Sequence, residues 1–199
     1  MAKRIYFGLA PVLLILSACV SNGAASTDAP DASISQKSAA LADRFQADLQ
    51  GQLMAAMQQG GAAGAIAVCH EVAPAIAQSL SDESGAQIRR IALKQRNPSA
   101  LAQGDMRQKL EELAASPLGP DGKPASVRWT SGAGKSARVH YLRAIPMKEQ
   151  PCAACHGTNV APDVQARIQE LYPDDRATGF RSGELRGAIA ISWPARGRP

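Results

Sequence analysis

The segment Cys152-Ala153-Ala154-Cys155-His156 brings together residue types at a spacing that can do chemistry. C-x-x-C-H is the attachment signature of a c-type haem. Both thiols add across haem vinyl groups as thioethers, and the adjacent imidazole takes one axial position on iron. Two intervening residues let both sulfurs reach one porphyrin edge, and a His directly after the second Cys swings under the ring. Two other chemistries share part of the pattern. A redox dithiol belongs in a βαβ context, and a zinc site needs a second Cys or His pair at similar spacing; the sequence offers neither. The motif therefore points to a single covalent haem c, with Cys152, Cys155 and His156 as its binding residues.

Such attachment belongs to exported proteins, and the N-terminus reads as an export signal. Lys3 and Arg4 precede an apolar run over residues 5–16, too short to span a bilayer comfortably. The run ends in Leu16-Ser17-Ala18-Cys19, which resembles the bacterial lipoprotein lipobox. That resemblance implies a signal peptide over residues 1–18 and lipidation of Cys19 as the first mature residue. Several acyl chains on one residue give stable anchoring. The expected location is the periplasmic side of a bacterial membrane. Val20, in place of Asp after the Cys, favours the outer membrane where there are two. Residues 19–35 lack apolar periodicity and read as a flexible tether. Residues 36–199 remain as one domain. Losing Lys3 and Arg4 with the leader lowers the formal net charge from +5 to +3. The basic residues are scattered, which excludes a nucleic-acid partner.

The elements that must position the motif follow from periodicity. Leu41, Phe45, Leu49, Leu53 and Met57 form an i, i+4 stripe that predicts a helix over residues 36–59, ended by Gly60, Gly61 and Gly64. Ile66, Cys69, Ala73, Ile76 and Leu80 predict a second helix over residues 65–80, kinked at Pro74. Its stripe aims Cys69 inward and turns His70 away. Further helices are expected over residues 105–115 and 162–172, and strands over 87–93, 127–130 and 138–145. Alternation over residues 185–193 predicts a half-buried strand. Helices followed by turn-linked strands make an α+β protein with an antiparallel sheet.

Cysteine arithmetic leaves Cys69 alone in an exported chain once Cys19, Cys152 and Cys155 are assigned. It is either a buried structural thiol or an axial iron ligand held as thiolate. Met147, His140 and His70 are rival ligands, Met/His being the common cytochrome pair. Met54 and Met57 lie in a helical stripe and read as core filling. Arg89, Arg90 and Arg96 are candidates to face haem propionates.

The arrangement resembles a family of exported single-haem c proteins with a PAS-like fold, long catalogued as a domain of unknown function. The matching pieces are Ala65-Ile66-Ala67-Val68-Cys69 with Ala73-Pro74, then Arg96-Asn97-Pro98, then Cys152-Ala153-Ala154-Cys155-His156-Gly157. Tyr172-Pro173-Asp174-Asp175, Ala177 with Gly179, and Gly183 with Arg186-Gly187-Ala188 continue the match. The resemblance implies a PAS-like antiparallel sheet with N-terminal helices packed around the covalent haem. It also implies that Cys69 is the second axial ligand, opposite His156.

A six-coordinate His/Cys iron lacks the open position that oxygen activation needs, so a peroxidase-like enzyme ranks last. The expected function is membrane-tethered, low-potential electron transfer with an unidentified redox partner protein. The alternative is a redox or gas sensor acting through a partner, in which a small gaseous ligand enters the reduced state at the position of Cys69.

Overall fold

The structure, a computed structural model, describes Met1 and residues 29–195. The expected leader, Cys19 and the first part of the tether lie outside the described residues. Helix α1 spans Ala29–Ala67 and therefore begins earlier than the expected residue 36, so the last part of the expected tether is helical. Pro30 suits a first helical turn, and an Ala-rich sequence follows. Tertiary contacts hold this end. Trp193 Nε1 donates to Ser38 Oγ at 2.9 Å, and Ser38 Oγ donates to the Ile34 carbonyl at 2.8 Å.

The helical layer departs from the expected pair of helices in one respect that matters for the site. Gly60 and Gly61 leave helical geometry and kink α1. The chain then passes through a single π-helical turn, Val68–Val72, into α2, Ala73–Ser84. The helix expected over residues 65–80, with a kink at Pro74, carries its irregularity as a π turn around Cys69 just before that proline. Pro74 has no N–H and its ring crowds the carbonyl four residues back, so the backbone widens before it. The Ala73 N–H reaches back to the Val68 carbonyl, the bond that defines the wider turn.

Strands β1 (Gln87–Ile91), β2 (Ser126–Ser131), β3 (Arg138–Pro146) and β4 (Leu185–Pro194) form one antiparallel sheet in the order β1-β4-β3-β2. Helix α3 (Gly104–Ala115) links β1 to β2; α4 (Ala153–His156) and α5 (Pro162–Leu171) lie between β3 and β4. The architecture is α+β, as its patterning predicts.

Both faces of the sheet are covered. On one, Phe45, Leu49 and Leu80 of the helical layer pack on Ile88, Tyr141, Ile189 and Ile191. On the other, Met106, Leu110 and Leu113 of α3 pack on Leu142, Ala188 and Ala190. Each large apolar side chain so buried contributes roughly 1.5–3 kcal/mol. Strand β4 is therefore buried on both sides and not half-buried as its alternation suggests. What alternates along it is size, Ile against Ala, and the small side lets α3 approach.

The closeness of that approach is testable. Ala190 is 1% exposed under α3. Ala190→Leu should overpack this layer and cost about 1–3 kcal/mol in urea denaturation. An unchanged midpoint would mean that the α3 face has spare volume.

Candidate functional site

The C-x-x-C-H segment folds as the single short turn α4. The His156 N–H reaches the Cys152 carbonyl at 3.0 Å, and the Gly157 N–H reaches the Ala153 carbonyl at 2.9 Å. Cys152 caps this turn and Cys155 lies within it, but the two thiols pack against different clusters and neither lines the cleft described below. Gly157 is needed where it sits, because a Cβ there would lie 2.6 Å from the Ala153 carbonyl oxygen. Cys155 packs beside Ile66 of α1 and Val164 and Ile168 of α5. Cys152 packs beside Met147, Ala177 and Phe180. Burial pushes the Cys155 thiol up to about 11, so it is held neutral.

The turn is fastened to the segment over residues 175–180. The Gly179 N–H donates to the Gly157 carbonyl at 2.9 Å, and the Phe180 N–H donates to the His156 carbonyl at 3.0 Å. Arg96, 4% exposed, supplies a third tie. Its Nε donates to Asp175 Oδ1 at 2.9 Å, and its Nη2 donates to the Cys155 carbonyl at 2.7 Å. Asp175 Oδ1 also accepts from the Ala177 N–H at 3.1 Å. One guanidinium thus holds both α4 and the loop that faces it.

That loop fixes the His156 ring. Nδ1 lies 2.7 Å from the Ala177 carbonyl, which can only accept, so the Nδ1 proton points there. Arg186 Nε sits 3.2 Å from the same nitrogen and meets it as a neighbouring cation. Burial, then the charges of Arg186 and Arg96, hold the imidazole well below its ordinary value, so it is neutral. The arrangement leaves the Nε2 lone pair free, the state a metal-ligating His requires.

A cleft of about 310 Å³ lies between the helical layer and the sheet, within the size range of small-molecule pockets. His156 enters it from α4, and Cys69 enters from the π turn on the far side in sequence. Phe45, Ala73, Ile88 and Ile91 give it apolar walls, and Tyr172 closes part of it. Four guanidinium groups, Arg89, Arg90, Arg96 and Arg186, also line it. Asp175, the carboxylate paired with Arg96, is the one acid paired with any of them among the described residues. Arg96 Nη1 is buried without a hydrogen-bond partner. Burial and then the Arg90 and Arg96 charges push Arg186 down to about 9. An excess of buried positive charge with an orphaned donor calls for an anionic occupant.

The rival ligands lie elsewhere. His140 sits on the opposite face of the sheet. It bonds Ser131 Oγ at 2.7 Å and Ser192 Oγ at 2.8 Å, and stacks on Trp129. Met147 is buried against Ala177 and Phe180, and His70 is exposed, edge-on to Tyr172. None of these three lines the cleft, nor do Met54 and Met57. Arg89, Arg90 and Arg96 all do, but Arg90 shares the sheet face of Ile88 whereas Arg89 alternates with it. The residues that sequence reasoning missed are Asp175, Phe180 and Arg186 as parts of the site. A signal existed for Arg186, an arginine opening an otherwise apolar strand.

A family profile described as Tll0287-like matches residues 25–194. Among solved structures, the chain is similar to one described as the crystal structure of the cyanobacterial heme-protein Tll0287, with 33% sequence identity and a TM-score of 0.51. That likeness covers 64% of this chain and 73% of the other. Among curated proteins, none matches the chain.

The Arg96 tie gives a stability prediction. Asp175→Ala leaves a buried guanidinium without its counter-charge and should cost about 3–5 kcal/mol, measured by urea denaturation. A loss below 1 kcal/mol would show that the pair is not what holds the loop to α4.

Proposed function

The chain belongs to the Tll0287-like family, and from that premise we propose that it is a haem-binding protein with one covalent haem c. In this reading Cys152 and Cys155 attach the haem, and His156 and Cys69 hold the iron. The observation that carries it is the meeting of Cys69 and His156 in one arginine-lined cleft, although 87 positions, from 69 to 156, separate them in sequence. The residues fit the group in three respects. His156 offers Nε2 with Nδ1 already bonded. The walls are apolar enough to cover a porphyrin. The surplus of guanidinium groups over carboxylates matches two propionates, with Arg90 and Arg96 Nη1 the donors nearest to hand.

Haem, when bound, supplies a one-electron Fe(III)/Fe(II) couple. Cys69 as thiolate donates strongly and favours Fe(III), which sets a low potential. His156, oriented by Ala177, would hold the iron together with Cys69, and a haem held from both sides would suit passing electrons with little rearrangement. We read the protein as an electron carrier tethered by a lipidated Cys19 on the periplasmic side of a bacterial membrane, the outer one favoured. A second reading, a redox or gas sensor, draws on the π turn. Cys69 sits on an irregular turn between the Gly60-Gly61 kink and Pro74, a backbone feature frequent at functional sites. Cys69, held on that turn, would be the residue able to release a haem iron whose positive charge reduction lowers.

Protein matured with cytochrome c assembly machinery should keep its haem through acid–acetone extraction, and Cys152→Ala with Cys155→Ala should not. Freely extracted haem from the wild type would defeat the covalent assignment. Cys69→Ser should retain haem, raise the potential and remove the low-spin thiolate signature in electron paramagnetic resonance. A spectrum and potential equal to wild type would reduce Cys69 to a core thiol. Carbon monoxide binding to the reduced wild type would favour the sensor; refusal favours the carrier.

Cys19→Ala should move the protein from the membrane to the soluble periplasmic fraction. Continued membrane retention would argue against a lipid anchor at this residue.

A further inference from the structure

Arg186 stands out within the cleft because its position is not explained by pairing with an anion. It is 7% exposed, and no carboxylate lies within ion-pair reach of it among the described residues. Its Nη1 donates to the Lys94 carbonyl at 3.3 Å, and its Nε lies 3.2 Å from His156 Nδ1. The guanidinium carbon is 5.5 Å from the Phe180 ring centre, while Phe180 is edge-on to the His156 ring at 6.5 Å. Lys94 Nζ stands 4.4 Å from the same phenyl ring. The imidazole is therefore bounded by the Ala177 carbonyl, the Phe180 edge and a fixed cation.

We propose that Arg186 is a positioning residue for His156 that fixes the imidazole plane and, through its charge, opposes the oxidised state of the site. The inference rests on the reading of His156 as an iron ligand. Its logic is electrostatic. Oxidation adds one positive charge beside a region already rich in cations, and the low-dielectric cleft screens that repulsion poorly. The Nδ1–H···O=C bond to Ala177 raises the donor strength of the imidazole and favours Fe(III), as does the Cys69 thiolate. Arg186 acts against both. It draws electron density toward Nδ1 and away from Nε2, and it makes reduction easier than the ligand pair alone would.

The test uses holoprotein with covalent haem. Arg186→Gln removes the charge and should lower the equilibrium constant for reduction by a common donor about tenfold, equal to 59 mV for one electron. Arg186→Lys keeps the charge but loses the Nε contact. It should recover most of the potential while shifting the His156 Nδ1–H resonance in reduced protein treated with carbon monoxide. Haem-loaded Arg186→Gln with a wild-type potential overturns the inference. So does Arg186→Lys falling as far as Arg186→Gln, since lost packing would then be the cause. Should Arg186→Gln fail to fold, Arg186→Lys with a wild-type Nδ1–H resonance overturns it equally. A wild-type chain that takes up no covalent haem overturns the underlying reading first, and is recognised before any variant is compared.

Discussion

The site depends on one buried guanidinium. Arg96 grips Asp175 with one nitrogen and the Cys155 carbonyl with another, at 2.9 and 2.7 Å. Without that clamp, α4 and the loop over residues 175–180 would lose the one charged tie between them and keep two backbone bonds, the His156–Ala177 bond and the packing of Cys152. The direction of the His156 ring follows from the clamp, because Ala177 is positioned by Asp175 and accepts the Nδ1 proton. A buried ion pair seldom adds much net stability over apolar packing. Its effect here is geometric, since it fixes which imidazole nitrogen is left free.

The clamp works only because the sheet brings its parts to one place. Gly187, with φ of 155°, passes so close to β1 that a Cβ would lie 2.5 Å from the Ile91 carbonyl oxygen. That close approach seats Arg186, one residue before, next to the cleft end of β1, where Arg90 and Arg96 arrive. On the other wall, the π turn swings Cys69 toward the same space. A regular helix through Pro74 would carry a clash and a lost hydrogen bond at that point. The irregular backbone thus coincides with the residue proposed as ligand.

The balance of charge gives the site its chemical character. The cleft gathers four arginines against one paired carboxylate. Isolated buried cations are costly, and a fold retains them where a ligand of opposite charge repays the cost. Arg90 and Arg96 face the proposed propionates, whereas Arg186 faces the imidazole. In the proposed reading the same surplus of charge favours an anionic occupant and bears on the electron affinity of the haem.

Much of this was legible in the sequence, for reasons of locality. The spacing within Cys152-Ala153-Ala154-Cys155-His156 is fixed by the chain, and a single turn preserves it, so the proposal of covalent attachment rests on sequence that needs no fold to be read. The strands and most helices are likewise written in short-range periodicity, and the α+β class follows from their order. The burial of β4 was misjudged because alternation reports which residues share a face but not what covers that face. The start of α1 was placed too late because residues 29–35 lack the apolar stripe that marks the rest of the helix. Which of Cys69, Met147 and His140 reaches the cleft depends on the register of the sheet and the route of the helical layer. His140 pairs with Ser192 across β3 and β4, and that register sends its side chain to the face away from the cleft. Arg186 and Asp175 carry no local mark of their roles. Their partners are distant in sequence, and only tertiary packing decides which buried charges meet.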